Sequence, residues 1–152
     1  MLNFISSPIG NLNDISLRSI NVLKNSDYIF SEDTRVSSKL LNFAKINKKP
    51  ISFHEHNEKT VTKRIISLLK DDKEVSIMCD AGMPAISDPG FFLIKECIKE
   101  DLKFTVIPGP SSVLNALVLS GISTASFIFL GFMPKKESKR NEYIDLIKNE
   151  QK

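Results

Sequence analysis

Two carboxylates, hydroxyl groups and one permanent cation cluster in the segment SEDTRVSS, residues 31–38. Glu32 and Asp33 are candidate acids or bases for proton transfer, and Arg35 could bind a polar substrate. The same residues also suit a purely structural role. Asp33 is a favoured helix N-cap residue, and Arg35 could pair with an acid. The residue types leave both interpretations open.

A second polar segment, FHEHN at residues 53–57, contains two imidazoles and a carboxylate. His54, Glu55 and His56 have the residue types of a metal site. Alternate residues of a short extended segment point to one side, however, and the segment provides no third ligand there. We therefore expect a polar loop that lines a cleft, and no metal.

The segment CDAGMPAISDPG, residues 79–90, contains two glycines, two prolines and two aspartates. Glycine lets the backbone approach a ligand closely, and proline restricts the shape of a loop. Similar residues occur at Pro8 and Gly10 and in PGPSS, residues 108–112. These three segments lack Lys and Arg, and the phosphate-binding patterns GxxxxGK[ST] and GxGxxG are absent. The composition favours a nucleoside-like ligand of modest charge.

Each of the three segments directly follows a short apolar run: LNFIS, VSIMC or FTVIP. These runs predict buried strands, and residues 28–31, 51–53 and 126–130 predict three more. Apolar residues at helical spacing predict helices at residues 36–46, 58–70 and 91–99, and an earlier helix with Asp14 or Ser16 as its N-cap. The apolar positions expected to form the buried helix faces are Leu17, Ile20, Leu23, Val36, Leu40, Phe43, Val61, Ile65, Leu68, Leu69, Phe91, Ile94 and Ile98.

Strands that alternate with helices predict an α/β fold with a mostly parallel five-stranded sheet covered by helices on both faces. In such a sheet, ligands bind beyond the carboxyl ends of the strands, where the three Gly/Pro segments lie. We expect an N-terminal domain over residues 1–110. Residues 111–152, with a nearly all-apolar helix that suggests burial between two layers, are expected to be the truncated beginning of a second α/β domain.

Composition restricts the class of protein. Of 152 residues, 41% are hydrophobic, and no apolar run approaches the ~20 residues of a membrane span, so we expect a cytoplasmic protein with no membrane contact. Cys79 and Cys97 lie in apolar segments and are expected to be buried free thiols. The net charge of +3 permits a nucleic-acid partner without requiring one.

Six segments together resemble one family. SPIGNLNDIS, EDTR, FHEHN, DAGMPAISDPG, PGPSS and FLGFMP, in this order, are similar to segments of the small-subunit ribosomal RNA methyltransferases of the tetrapyrrole methylase superfamily. The resemblance spans residues 2–134. It implies two α/β domains, S-adenosylmethionine in the cleft between them, and usually a homodimer.

The resemblance also implies an activity: methylation of the ribose 2′-hydroxyl of a cytidine in the RNA of the small (30S) subunit. By analogy, the methyl donor would contact the following positions: Ile9, Ala81, Gly82, Met83, Pro84, Ala85, Ile86, Ser111 and Ser112. The candidate substrate contacts are Arg35, His56 and Asn57. Asp33 and Glu32 are the candidate general bases, because a ribose hydroxyl is a poor nucleophile until its proton is removed.

Two other functions remain open. One is a methylase of tetrapyrrole precursors or of diphthine, with the same fold. Those relatives usually have a GxGPGD-like first loop and a GDP-type fourth loop, whereas SPIGN and DAGMP here favour the RNA enzyme. The other is an inactive or noncatalytic nucleotide-binding module, which an incomplete second domain would suit.

Overall fold

The computed structural model describes residues 1–149, and the chain divides into two compact units, Met1–Ser112 and Val113–Lys152. The first unit contains one five-stranded sheet in which every pairing is parallel. Its strands are β1 (Leu2–Ile5), β2 (Tyr28–Ser31), β3 (Ile51–Ser52), β4 (Val75–Met78) and β5 (Phe104–Ile107), in the order β3-β2-β4-β1-β5. The predicted parallel α/β sheet is confirmed.

Four helices connect the strands: α1 (Leu17–Asn25), α2 (Thr34–Phe43), α3 (Glu58–Lys70) and α4 (Phe91–Lys99). Ser16, the second of the two candidate caps, begins α1, and its hydroxyl accepts a hydrogen bond from the backbone N–H of Ser19 at 3.0 Å. Such a bond satisfies one of the amides that lack a partner in the first helical turn. Among residues 1–149, no helix has the length and apolarity needed to cross a bilayer.

Apolar side chains are buried on both faces of the sheet. One cluster lies between the sheet and helices α3 and α4, and it includes Phe4, Phe30, Phe53, Ile65, Leu69, Leu93 and Cys97. The other lies against α1 and α2, and it includes Ile5, Leu23, Ile29, Leu40, Leu41, Met78 and Ile107. Because successive residues of a strand face opposite sides, Phe4 and Ile5 of β1 enter different clusters. Helices on both faces are therefore confirmed, and both cysteines are free and buried.

The buried faces of three helices differ from the prediction. In α4 the core residues are Leu93 and Cys97, whereas Phe91 and Ile98 are mostly exposed. The other predicted core positions that are exposed are Leu17 of α1 and Val36 and Phe43 of α2. Each of these inner faces combines leucine with a small buried residue: Ser19 in α1, Ser37 in α2 and Cys97 in α4. Apolar periodicity alone does not distinguish the inner stripe from a second, outer one.

The second unit contains most of α5 (Ser112–Leu119) and α6 (Glu137–Asn149). The strand predicted at 126–130 is wrong, because residues 113–149 contain no strand. A strand requires a neighbour for its backbone hydrogen bonds, and these residues provide none. No residue of α5 is buried, and Val118 and Leu119 are 72% and 86% exposed. Burial of this helix between two layers of a complete second domain stays a prediction.

Candidate functional site

Three loops meet at the carboxyl edge of the sheet. They are the first loop (residues 6–11), the long loop (residues 79–90) and the proline loop (residues 108–112), which follow β1, β4 and β5. Because β1 lies between β4 and β5, the first loop has the other two on either side. The bond from Ser7 N–H to the Gly82 carbonyl is 2.8 Å, and that from the Ser6 hydroxyl to the Pro110 carbonyl is 2.8 Å. The candidate donor contacts predicted from these loops thus belong to one continuous rim.

The backbone of the long loop is unusual at four positions. Gly82 and Gly90 have φ of +76° and +135°, and the non-glycine residues Ala85 and Ser87 have φ of +67° and +63°. A left-handed conformation costs an ordinary residue about 1–2 kcal/mol, and such strain concentrates at functional sites. The far end of the loop is held by Glu58, whose carboxylate accepts a hydrogen bond from the Gly90 N–H at 2.8 Å. This strained but anchored loop is the centre of the candidate site.

The glycines of the rim have different steric roles. A Cβ at Gly82 would meet only the side chain of Ile9, at an ordinary contact distance of 3.8 Å, so its positive φ is the main constraint. A Cβ at Gly109 would lie 2.9 Å from the Cβ of Ser6, which is closer than real contacts allow. Gly109 therefore permits close approach between the first loop and the proline loop.

An acidic cavity of about 290 Å³ adjoins the long loop, and it is lined by Glu32, His54, Glu55, His56, Ser87, Asp88 and Pro89. The pKa of Glu32 is raised, first by partial burial and then by the charges of Asp88 and Asp80. Burial also raises the pKa of Asp88, and the charge of Asp80 adds to this effect. Carboxylates crowded in this way take up a proton more readily than isolated ones.

The surroundings of Asp33 lower its pKa, whereas those of Glu32 raise it. The Asp33 carboxylate caps α2, accepting from the Arg35 backbone N–H at 2.8 Å, and it pairs with the Arg35 guanidinium at 2.6 Å. The hydrogen bonds from Arg35 lower the pKa of Asp33 to about 2. Asp33 therefore caps the helix and pairs with Arg35, as the structural interpretation of this segment predicted. Asp33 is a weaker base than an ordinary aspartate. The Asp33 backbone N–H also donates to the Asp80 carboxylate at 3.0 Å, which joins the segment to the long loop.

The FHEHN segment forms a closed turn beside the acidic cavity. The Asn57 side chain accepts a hydrogen bond from the His54 N–H at 2.8 Å and donates to the Ser52 carbonyl at 3.2 Å, so its amide is used to shape the turn. His56 is largely exposed, with Nε2 3.4 Å from a Glu55 carboxylate oxygen. Nδ1 of His54 is buried and has no hydrogen-bond partner within residues 1–149. That part of the chain also contains no cluster of three or more metal-ligating side chains.

The pKa of Glu32 is raised and that of the adjacent Asp33 is lowered. The two acids should therefore make the stability of the protein depend on pH in opposite directions. The native protein binds the Glu32 proton more tightly than the unfolded chain does, so this residue's ionisation lowers stability as pH rises above its ordinary value of 4.5. We expect Glu32→Gln to raise the free energy of unfolding at pH 7, with the gain disappearing below pH 4.5. Urea denaturation at several pH values measures both effects.

Asp33→Asn provides the contrasting variant, because Asn also caps helices well. The stabilising contribution of ionised Asp33 is present above its ordinary value of 3.8 and is lost as pH falls toward about 2. Asp33→Asn should therefore slightly lower stability at pH 7, by a small amount because exposed charges are screened. A pH-independent effect of both substitutions would contradict the assigned environments.

The family model of the Tetrapyrrole (Corrin/Porphyrin) Methylases matches residues 1–150. The chain belongs to the tetrapyrrole methylase family. Two relatives named "Ribosomal RNA small subunit methyltransferase I" are similar to it. The relative from Halalkalibacterium halodurans is 44% identical over 95% of this chain and 50% of its own length. The relative from Thermotoga maritima is 45% identical over 91% of this chain and 63% of its own length.

This member of the tetrapyrrole methylase family thus spans roughly half to two thirds of the length of those relatives. Two solved structures share its fold. Diphthine synthase matches with a TM-score of 0.66 at 18% identity, covering 80% of this chain and 49% of the other. Uroporphyrin-III-C-methyltransferase from Thermus thermophilus matches with a TM-score of 0.60 at 21% identity, covering 82% and 53%. The identification from the six sequence segments is confirmed at the level of the family.

Sequence reasoning missed four residues of this rim. Asp80 and Asp88 lie within the long loop, and their eight-residue separation gave no indication that both would approach Glu32. Ser6 and Ser7 are ordinary strand-end residues by type, yet both are 1% exposed and hydrogen-bonded to neighbouring loops. Two consecutive hydroxyl residues between an apolar strand and Pro8 are the signal that could have identified them.

Proposed function

We propose that this protein acts in the S-adenosylmethionine-dependent methylation of a ribose 2′-hydroxyl of a cytidine in small-subunit ribosomal RNA. The observation that carries the proposal is identity of 44% and 45%, over more than nine tenths of the chain, to relatives named as ribosomal RNA small subunit methyltransferases. The solved neighbours, at 18% and 21% identity, support the fold but not a tetrapyrrole or diphthine substrate. The proposal includes a homodimer that acts on the 30S subunit in the cytoplasm.

The rim suits the methyl donor, which supplies an electrophilic methyl group on a positively charged sulfonium. The long loop, the first loop and the proline loop contain no Lys or Arg, whereas the long loop contains Asp80 and Asp88, and Glu32 lies close to both. This charge balance favours a cation over a polyphosphate. Exposed Ile86 and half-buried Ile9 and Met83 provide apolar surface for a nucleoside. The donor would be held by Ile9, by residues 81–86, and by Ser111 and Ser112.

Within this proposal, Glu32 is the general base. Its raised pKa makes it a stronger proton acceptor than an ordinary glutamate, and it lies on the wall of the acidic cavity. Asp33, the other candidate, is held by Arg35 and has a lowered pKa. The role of Asp33 is to cap α2 and to orient Arg35. Glu32 would take the hydroxyl proton of the ribose as the oxygen becomes nucleophilic.

Substrate contacts are proposed at three residues near this cavity, of which His56 lines it. Arg35 has 87% of its side chain exposed, and His56 has 82%, so both can approach a phosphate or a base without rearrangement of the core. Asn57 differs from them, because both ends of its amide shape the turn after β3. Its contribution to substrate binding would be to hold His56 in place.

Methyl transfer to small ribosomal subunits is the test of this function. The whole protein, supplied with a methyl-labelled donor, should transfer label to small-subunit RNA. The label should remain in an alkali-resistant dinucleotide, because a methylated 2′-oxygen cannot take part in alkaline strand cleavage. Large subunits serve as the control. Label found on a base, or transferred only to a small tetrapyrrole, would contradict the proposal.

A further inference from the structure

Two consecutive buried serines connect the three loops of the rim. Ser6 donates its backbone N–H to the Ile107 carbonyl at 3.3 Å and its hydroxyl to the Pro110 carbonyl at 2.8 Å. Ser7 exchanges two backbone hydrogen bonds with Gly82, at 2.8 and 3.0 Å. Its hydroxyl donates to the Cys79 carbonyl at 2.7 Å. Ser6 thus binds the proline loop, and Ser7 binds the long loop.

The position of β1 in the sheet explains this division. β1 is hydrogen-bonded to β4 on one side and to β5 on the other, so the two residues that follow it lie between the loops that leave those strands. The backbone N–H of Ser6 bonds on the β5 side, to Ile107, whereas the backbone of Ser7 bonds on the β4 side, to Gly82. The two serines together therefore contact both loops.

The start of the long loop is held by a second set of contacts. The thiol of Cys79 lies 3.3 Å from the carbonyl oxygens of both Ala81 and Gly82. Burial raises the pKa of this thiol, and the charge of Asp88 adds to the effect, so the thiol stays protonated and able to donate. The Ser7 hydroxyl fixes the carbonyl of the same cysteine. The first turn of the long loop therefore depends on Ser7 for its position.

We propose that Ser6 and Ser7 are positioning residues that set the separation of the long loop and the proline loop, and so the affinity for the methyl donor. The inference rests on the proposed function, since it assumes that these two loops hold the donor. The close contact between Ser6 and Gly109 supports the inference. Because there is no room for a Cβ at Gly109 beside Ser6, a small shift of Ser6 moves the proline loop.

The test compares Ser6→Ala and Ser7→Ala with Ser26→Ala in the whole protein. Ser26 is a matched control, because it is 1% exposed and its hydroxyl makes two short hydrogen bonds, to the Val22 carbonyl and the Ser76 hydroxyl, near the start of β2. Calorimetry measures the affinity for S-adenosylmethionine. Amide hydrogen exchange measures the local opening of Gly82, which donates to the Ser7 carbonyl, and of residue 6, which donates to Ile107.

Ser7→Ala should weaken donor affinity about tenfold, the factor that a loss of roughly 1.4 kcal/mol produces. It should also speed exchange at Gly82, whereas Ser6→Ala should speed exchange at residue 6. Ser26→Ala should lower global stability while leaving donor affinity within about twofold of wild type.

Unchanged Gly82 exchange and unchanged affinity in Ser7→Ala would overturn the inference. So would equal losses of affinity in Ser7→Ala and Ser26→Ala, or global unfolding of Ser7→Ala, because the proposed effect is local. Absence of donor binding by the wild-type protein would instead reject the proposed function. In that case the exchange data still report whether the two serines hold the loops.

Discussion

Replacement of Glu32 by Gln should lower kcat by about 10²–10⁴-fold, the range that a general base contributes. The amide retains the size and polarity of the side chain but cannot accept the ribose proton at neutral pH. Affinity for the methyl donor should fall much less than kcat, because Glu32 is one of three nearby carboxylates and lies outside the three loops proposed to hold the donor. Single-turnover methylation of small subunits with saturating donor measures the chemical step.

Asp33→Asn is the matched control for this experiment. It also removes one carboxylate from the segment, and Asn preserves the cap of α2. It releases Arg35, whose guanidinium pairs with Asp33 at 2.6 Å, so substrate KM can change while kcat changes little. A larger loss of kcat in Asp33→Asn than in Glu32→Gln would assign the base to Asp33 instead.

The largest effect on folding is expected from Gly90→Ala. Gly90 has φ of +135°, a conformation that residues with a Cβ rarely adopt. A new Cβ there would lie 3.1 Å from the Cβ of Ala85 and 3.3 Å from a ring carbon of Phe4, which is buried in the core. Backbone strain and crowding act together, so we expect a loss of about 3 kcal/mol in the free energy of unfolding.

Gly82→Ala separates the effect of backbone strain from the effect of crowding. Its φ of +76° also imposes strain, but the added Cβ would meet only Ile9 at 3.8 Å. The expected loss is about 1 kcal/mol, the cost of a left-handed conformation alone. Urea denaturation of both variants gives the comparison. Equal losses would mean that the long loop relaxes around Gly90 and that its contact with Phe4 does not restrict it.

The second unit exposes many large apolar side chains. A groove of about 560 Å³ is lined by Leu117, Ile122, Ser123, Ser126, Phe127, Ile128, Leu130, Leu146 and Ile147. Phe132, elsewhere in the unit, is 84% exposed. Apolar patches of this kind are usual at interaction surfaces. In the relatives, about 37–50% of the chain lies outside the region matched here.

The sequence alone determined the order and type of the elements of the first unit. Short apolar runs that end in Gly and Pro became β1, β4 and β5, and the predicted helices at residues 58–70 and 91–99 have the bounds observed for α3 and α4. Local properties are sufficient for this. Residue spacing sets the helical or extended period, and glycine and proline end the elements. The rim of loops follows, because parallel strands place their carboxyl ends on one edge.

Only the tertiary structure decided which residues meet at that edge. Glu32 is far in sequence from Asp80 and Asp88, and these two acids affect its pKa because β2 and β4 are neighbours in the sheet. Likewise, the role of Ser6 and Ser7 depends on β1 lying between β4 and β5. Non-local contacts also decided which faces of α2 and α4 are buried. They decided as well that residues 126–130 form no strand. Strand order, helix orientation and the presence of a pairing partner are properties of non-local contacts, and periodicity along the chain does not encode them.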